Sequence, residues 1–121
     1  AVDVPLFEAL AANLVASGKL QNLSPPLATE LAWGFAAARV HHSPLFAQLE
    51  ELCTSHLQNL ETEDVAGLAW SFIALGRRDP RVFQALQDYV DRFAGRFRAN
   101  ELRMLNWALA TQRSATQIID T

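Results

Sequence analysis

The sequence predicts an all-α protein, an α-solenoid of 37-residue helix-turn-helix repeats with about six helices in the chain. Three observations predict it. Trp33, Trp70 and Trp107 recur at a constant interval of 37 residues, each in the same phrase: Leu31-Ala32-Trp33-Gly34-Phe35, Leu68-Ala69-Trp70-Ser71-Phe72 and Leu105-Asn106-Trp107-Ala108-Leu109. A fixed period of this size marks supersecondary units that stack on their neighbours. Sliding residues 23–60 onto 60–97 brings Leu23, Leu31, Ala32, Trp33, Phe35, Ala37, Phe46 and Leu49 onto identical residues, nearly all apolar, so the repeat is a packing template. Within each unit the apolar residues lie three and four apart, the period of a helix buried on one face. The chain then divides into units of about 1–22 (partial), 23–59, 60–96 and 97–121 (partial) within one domain.

The elements follow in the order B, A, B, A, B, A, where A and B are the first and second helix of a unit, each about 10 to 14 residues long with short connections. The first helix B opens at Asp3-Val4-Pro5, carries Phe7 and Leu10, and has Gly18 as its stop. Pro5-Leu6-Phe7 and Leu10 echo Pro44-Leu45-Phe46 and Leu49 at a spacing of 39, which puts two extra residues between Leu20 and Pro26. The first helix A opens at Ser24 followed by two prolines, and Leu27, Leu31, Phe35 and Ala38 form its stripe. A capping residue before proline is a helix start, because proline fits the first turn and the cap side chain takes up a free N–H. The second helix B opens at Ser43-Pro44 and runs through Leu45, Phe46, Leu49 and Leu52 to Asn59. Thr62 with Glu63 and Asp64 opens the second helix A, where acids favour the positive end of the helix dipole, and Gly76 closes it. Asp79-Pro80 opens the third helix B, with Val82, Phe83, Leu86, Tyr89, Val90 and Phe93 before Gly95, and Asn100-Glu101 opens the last helix A.

Half of the 121 residues are hydrophobic and 19% are charged, a balance that describes an ordered, helix-rich domain. No window holds the roughly 18 uninterrupted apolar residues of a membrane helix. The single cysteine, Cys53, excludes an intramolecular disulfide and fits a reducing compartment. The first and last units are partial and neither has the polar outer face of a capping repeat, so the sequence predicts a segment of a longer array. The expected repeat core is Leu31, Leu68, Leu105, Phe35, Phe72, Phe46 and Phe83 together with Trp33, Trp70 and Trp107. Flanking Ala32, Ala69, Phe35 and Phe72 argue for buried indoles that hold the stack. The alternative is a ladder of platforms on which nucleobases stack.

Two helices in 37 residues, with Leu-Ala-Trp-x-Phe in helix A and Pro-x-x-Phe-x-x-Leu opening helix B, resemble the heptatricopeptide and octotricopeptide repeats, related to repeats of the animal FAST-kinase-domain proteins. The resemblance covers about Pro5 to Gln112. It implies an organellar protein of the mitochondrial matrix or chloroplast stroma that binds single-stranded or ribosomal RNA, in processing or in ribosome assembly. Similar solenoids also bridge protein subunits of large organellar complexes, a mitoribosome or a photosynthetic assembly.

Charge weighs these two partners. An RNA groove is basic, yet the formal charge is −3. Residues 1–76 carry two bases against eight acids, whereas residues 77–103 carry seven arginines against four acids. The expected contact for RNA or an acidic partner is therefore Arg77, Arg78 and Arg81 at one turn with Arg92, Arg96, Arg98 and Arg103 around the next. Arginine suits bidentate contact with phosphate or carboxylate. Base reading would use positions that vary from unit to unit on the first turns of helix A: Thr29, Glu30, Ala66, Gly67, Arg103 and Met104. Ala66 with Gly67 offers almost no hydrogen-bonding side chain, so that unit would read poorly. No glycine-rich phosphate loop, HExxH, CxxC or GxSxG phrase is present. Cys53 and His56, with His41 and His42 at the preceding turn, lack the spacing of a metal site. The sequence predicts no enzyme, no cofactor, no metal and no small-molecule substrate.

Overall fold

Helix follows helix through residues 3–120, which the structure, a computed structural model, describes; side-chain surroundings are described for these except Pro25, Cys53 and 115–120. The order is α1 (Val4–Ser17), α2 (Pro25–Ala38), α3 (Ser43–His56), α4 (Thr62–Ala74), α5 (Pro80–Phe93) and α6 (Ala99–Asp120). The described residues form no strand. Odd-numbered helices are the expected B helices and even-numbered ones the A helices. Five have 13 or 14 residues, while α6, with 22, outruns the expected length.

Local chemistry sets the starts. The Asp3 carboxylate accepts from the Leu6 N–H at 3.1 Å, Ser24 Oγ from Leu27 at 3.4 Å and Asp79 from Arg81 at 2.9 Å. Each leaves a proline in the first two positions, where its missing N–H costs nothing. Three starts differ from the sequence expectation. The cap of α3 is His42, whose Nδ1 accepts from the Leu45 N–H at 3.2 Å, and Ser43 is the first helical residue. α4 is preceded by Glu61 and α6 starts at Ala99, so Thr62 and Asn100 already lie inside the first turn. There the acid three residues on closes the cap: Glu101 Oε1 accepts from the Arg98 N–H at 2.7 Å, and also from Thr62 Oγ1 of α4 at 3.0 Å.

The stops divide by backbone. Gly18 (φ 70°) and Gly76 (φ 74°) turn left-handed as expected, and Arg39 (φ 58°) does the same after α2 without glycine's freedom. Asn59 and Gly95 do not. They lie in 3₁₀ turns, Leu57–Asn59 and Ala94–Arg96, that tighten the chain end, closed by Leu60 N–H to Leu57 O and Phe97 N–H to Ala94 O. The α1–α2 connection, residues 18–24, is two longer than 57–61 and 94–98. The extra length is Gly18 and one more residue in the 3₁₀ turn Lys19–Asn22, which overlaps the start of the expected Leu20–Pro26 stretch.

The helices pack in two layers. In one, α2 lies on α4 and α4 on α6; in the other, α1 lies on α3 and α3 on α5. The layers meet through the phenylalanines. Phe7 meets Phe35 edge-on at 5.0 Å between ring centroids, Phe35 meets Phe46 at 6.3 Å and Phe46 meets Phe72 at 6.2 Å, so one chain of rings crosses from layer to layer through α1, α2, α3 and α4. Edge-to-face pairs of this kind add to the apolar area that the rings bury. Leu68, Leu105, Phe35, Phe72, Phe46 and Phe83 are buried, and Leu31 is half-buried.

The tryptophans correct the expectation of a buried indole in every unit. Trp70 is half-buried, but Trp33 and Trp107 expose 53% and 51% of their surface. Ala32 and Phe35, whose burial suggested the core, are one and two positions away from Trp33. Residues at those spacings do not share a helix face. Of the residues three and four positions from Trp33, Glu30 and Ala37 are exposed while Thr29 and Ala36 are buried, so Trp33 stands at the edge of the buried stripe.

Candidate interaction site

The exposed indole of Trp33 opens onto a groove of about 590 Å³ that runs across three A helices. α2 contributes Thr29, Glu30 and Trp33; α4 contributes Glu63, Asp64, Ala66 and Gly67; α6 and its approach contribute Arg98, Asn100, Glu101 and Met104. Three equivalent first turns side by side make one continuous trough. Thr29, Glu30, Ala66, Gly67 and Met104, five of the six expected reading positions, therefore converge here. Arg103, the sixth, is exposed on α6 but does not line the groove.

The floor is built by absence of side chain. Gly67 lies under Trp33, whose Cδ1 would stand 4.0 Å from a Cβ added there. The Trp33 ring lies against that of Trp70, with centroids 6.2 Å apart and planes tilted by 37°. At 4.0 Å an added methyl makes ordinary contact, so Gly67→Ala should fit and gain helix propensity. The expected stabilisation is about 0.5–1 kcal/mol, read as a higher urea midpoint at unchanged slope. A lower midpoint would mean that Trp33 leaves no room over α4.

The rim is acidic. Four carboxylates, Glu30, Glu63, Asp64 and Glu101, line the groove against one guanidinium, Arg98. Glu101 is committed to Thr62 and to the Arg98 N–H. Glu30 and Glu63 are exposed and Asp64 is half-buried. Burial pushes the Asp64 carboxyl above its ordinary value; the Glu61 N–H opposes this, and the charges of Glu63, Glu61 and Glu30 add to the rise. The negative charge of this rim is thus only partly compensated within the protein.

The arginines do not gather into one patch. Arg77 is turned inward: its guanidinium binds Glu50 through Nε at 2.9 Å and through Nη2, and donates to Ser43 Oγ at 3.0 Å. Its side chain is 18% exposed, and Arg77 bridges α3 and the α4–α5 turn, a structural role beyond the expected contact for RNA or an acidic partner. Arg81 pairs with Asp79 at 3.0 Å, which holds the Asp79 carboxyl below its ordinary value. Arg92 and Arg96 lie over the Phe93 ring at 5.5 and 4.4 Å. Arg81 and Arg92 sit in the first and last turns of α5, roughly 16 Å apart along its axis at 1.5 Å per residue. The two arginine groups thus occupy opposite ends of the layer, with Arg78 beside the first, and Arg98 and Arg103 near the second.

No protein-family model, curated protein or solved structure matches the chain.

Among the described residues no three His, Cys, Asp or Glu side chains converge as a metal would require, and the Cys53 side chain lies outside them. No helix among the described residues is long and apolar enough to cross a membrane. The groove was half legible in the sequence. The unit-to-unit variation at first-turn positions marked where it would lie. Its acidity was legible only as a charge excess over residues 1–76, because Glu30 belongs to one unit and Glu63 with Asp64 to the next.

Proposed function

We propose that the chain is part of a non-catalytic α-solenoid of 37-residue units that binds other macromolecules on its A-helix layer, and that the partner there is a protein. The sequential packing of A on A and B on B helices supports the solenoid reading. One observation carries the choice of partner: the trough that spans the three A helices is acidic and aromatic. Phosphates would enter it against four carboxylates, whereas protein interfaces favour exposed Trp and Met in a polar rim. The organellar placement, as a scaffold subunit of a large complex in matrix or stroma, rests on the resemblance of the repeat phrases and on the single cysteine.

A second reading, contact with single-stranded or ribosomal RNA, draws on Arg92, Arg96, Arg98 and Arg103. All four are exposed around the α5–α6 turn, and none is in an ion pair among the described residues. Charge reversal separates the two readings. With Glu30→Lys and Glu63→Lys, the proteins that co-purify with the chain should be lost, while Arg92→Glu and Arg96→Glu should leave them in place. The reverse pattern, with crosslinked RNA lost on arginine reversal, would replace the protein reading by the RNA reading.

A further inference from the structure

We infer that the groove receives an extended arginine-bearing segment of a partner protein, a guanidinium lying on the exposed face of Trp33 and neutralised by the carboxylates of Glu30, Glu63 and Asp64. The inference rests on the protein reading above and names the chemistry of the partner. Charge complementarity selects it. Among the described residues Arg98 is the one cation lining the trough, so a cation is attracted and an acidic or phosphorylated segment is repelled. The aromatic surface narrows the choice further. Indole is the strongest cation–π acceptor among side chains, and planar guanidinium stacks on it while its edge N–H groups stay free for carboxylates. Trp33 meets this need because more than half of its surface is open while Gly67 and Trp70 support the ring from α4. Ala66 and Gly67, with almost no side chain, leave room for a backbone to lie across α4. The raised carboxyl of Asp64 is consistent with this site, since a bound cation would offset the repulsion from Glu63, Glu61 and Glu30.

The test titrates the chain with a short arginine–glycine peptide, its glutamate–glycine counterpart and single-stranded oligouridylate, following tryptophan fluorescence and heat. Saturable binding of the arginine peptide alone is expected, weakening as salt rises. Trp33→Ala should weaken it about tenfold, with Trp33→Phe intermediate, and the pair Glu30→Gln and Glu63→Gln by about tenfold as well. Trp33 is outside the core, so thermal unfolding of these variants should show folded protein and keep the comparison valid. Equal binding of the glutamate peptide, binding of oligouridylate at the same site, or no saturable binding would each overturn the inference. So would self-association that the glutamine pair abolishes, since it would give the groove to a second copy of the chain. If the arginine peptide fails while Glu30→Lys with Glu63→Lys still strips co-purifying proteins, the cationic segment is wrong and the protein reading stands. If both fail, both fall.

Discussion

Phe46→Ala is expected to cost about 3–5 kcal/mol of stability, enough to unfold much of a marginally stable domain. Phe46 is fully buried on α3, in edge-on contact with Phe35 and Phe72 and stacked on His41 at 6.2 Å. It is the ring through which α3 touches the A layer on both sides. Removing it opens a void that α2 and α4 cannot close, because they are held against each other in their own layer. The loss therefore combines transfer energy with the residual cavity. Urea unfolding should show a lower midpoint with an unchanged slope, and Phe46→Leu should recover most of the difference. A cost below about 1 kcal/mol would mean that the ring is not part of the core.

Arg77→Ala is expected to cost a similar amount, about 3–5 kcal/mol, for a different reason. Glu50 is buried to 6% side-chain exposure, and its Oε2 has no hydrogen-bond partner among the described residues, so Arg77 supplies most of the compensation for its charge. Without the guanidinium the carboxylate stays desolvated and unpaired. Replacing both partners, Arg77→Met with Glu50→Leu, should restore most of the stability, since an apolar pair of similar volume avoids the desolvation of both charges. A double-mutant cycle measures this coupling. If the single variant loses less than about 1 kcal/mol, the bridge is as weak as an exposed ion pair. Charge reversal at Arg77 would thus report on folding, so it cannot serve to detect an RNA contact.

Helix order, most helix limits and the phenylalanine core were legible because each depends on local chemistry: proline with a capping residue at a start, or apolar residues three and four apart. Three features were not. Trp33 looked buried because its chain neighbours are apolar, yet exposure depends on residues three and four positions away and on how far the next helix reaches. Arg77 looked like a surface cation because its partner, Glu50, is 27 residues distant on another helix. Gly95 and Asn59 looked like left-handed stops, but a 3₁₀ turn ends a helix without a positive φ. The groove itself could be located from variation among units. Its chemistry needed the three A helices side by side.

Met104, exposed on α6 in the lining of the groove, is the position from which to probe the partner directly. A photoreactive phenylalanine analogue placed there, irradiated in an extract of the cells that make the protein, would attach to whatever occupies the trough. The expected product is an adduct to an arginine-containing peptide of another protein, lost when an arginine–glycine peptide is added as competitor to the extract before irradiation. Adducts to nucleotides would contradict the protein reading at its centre.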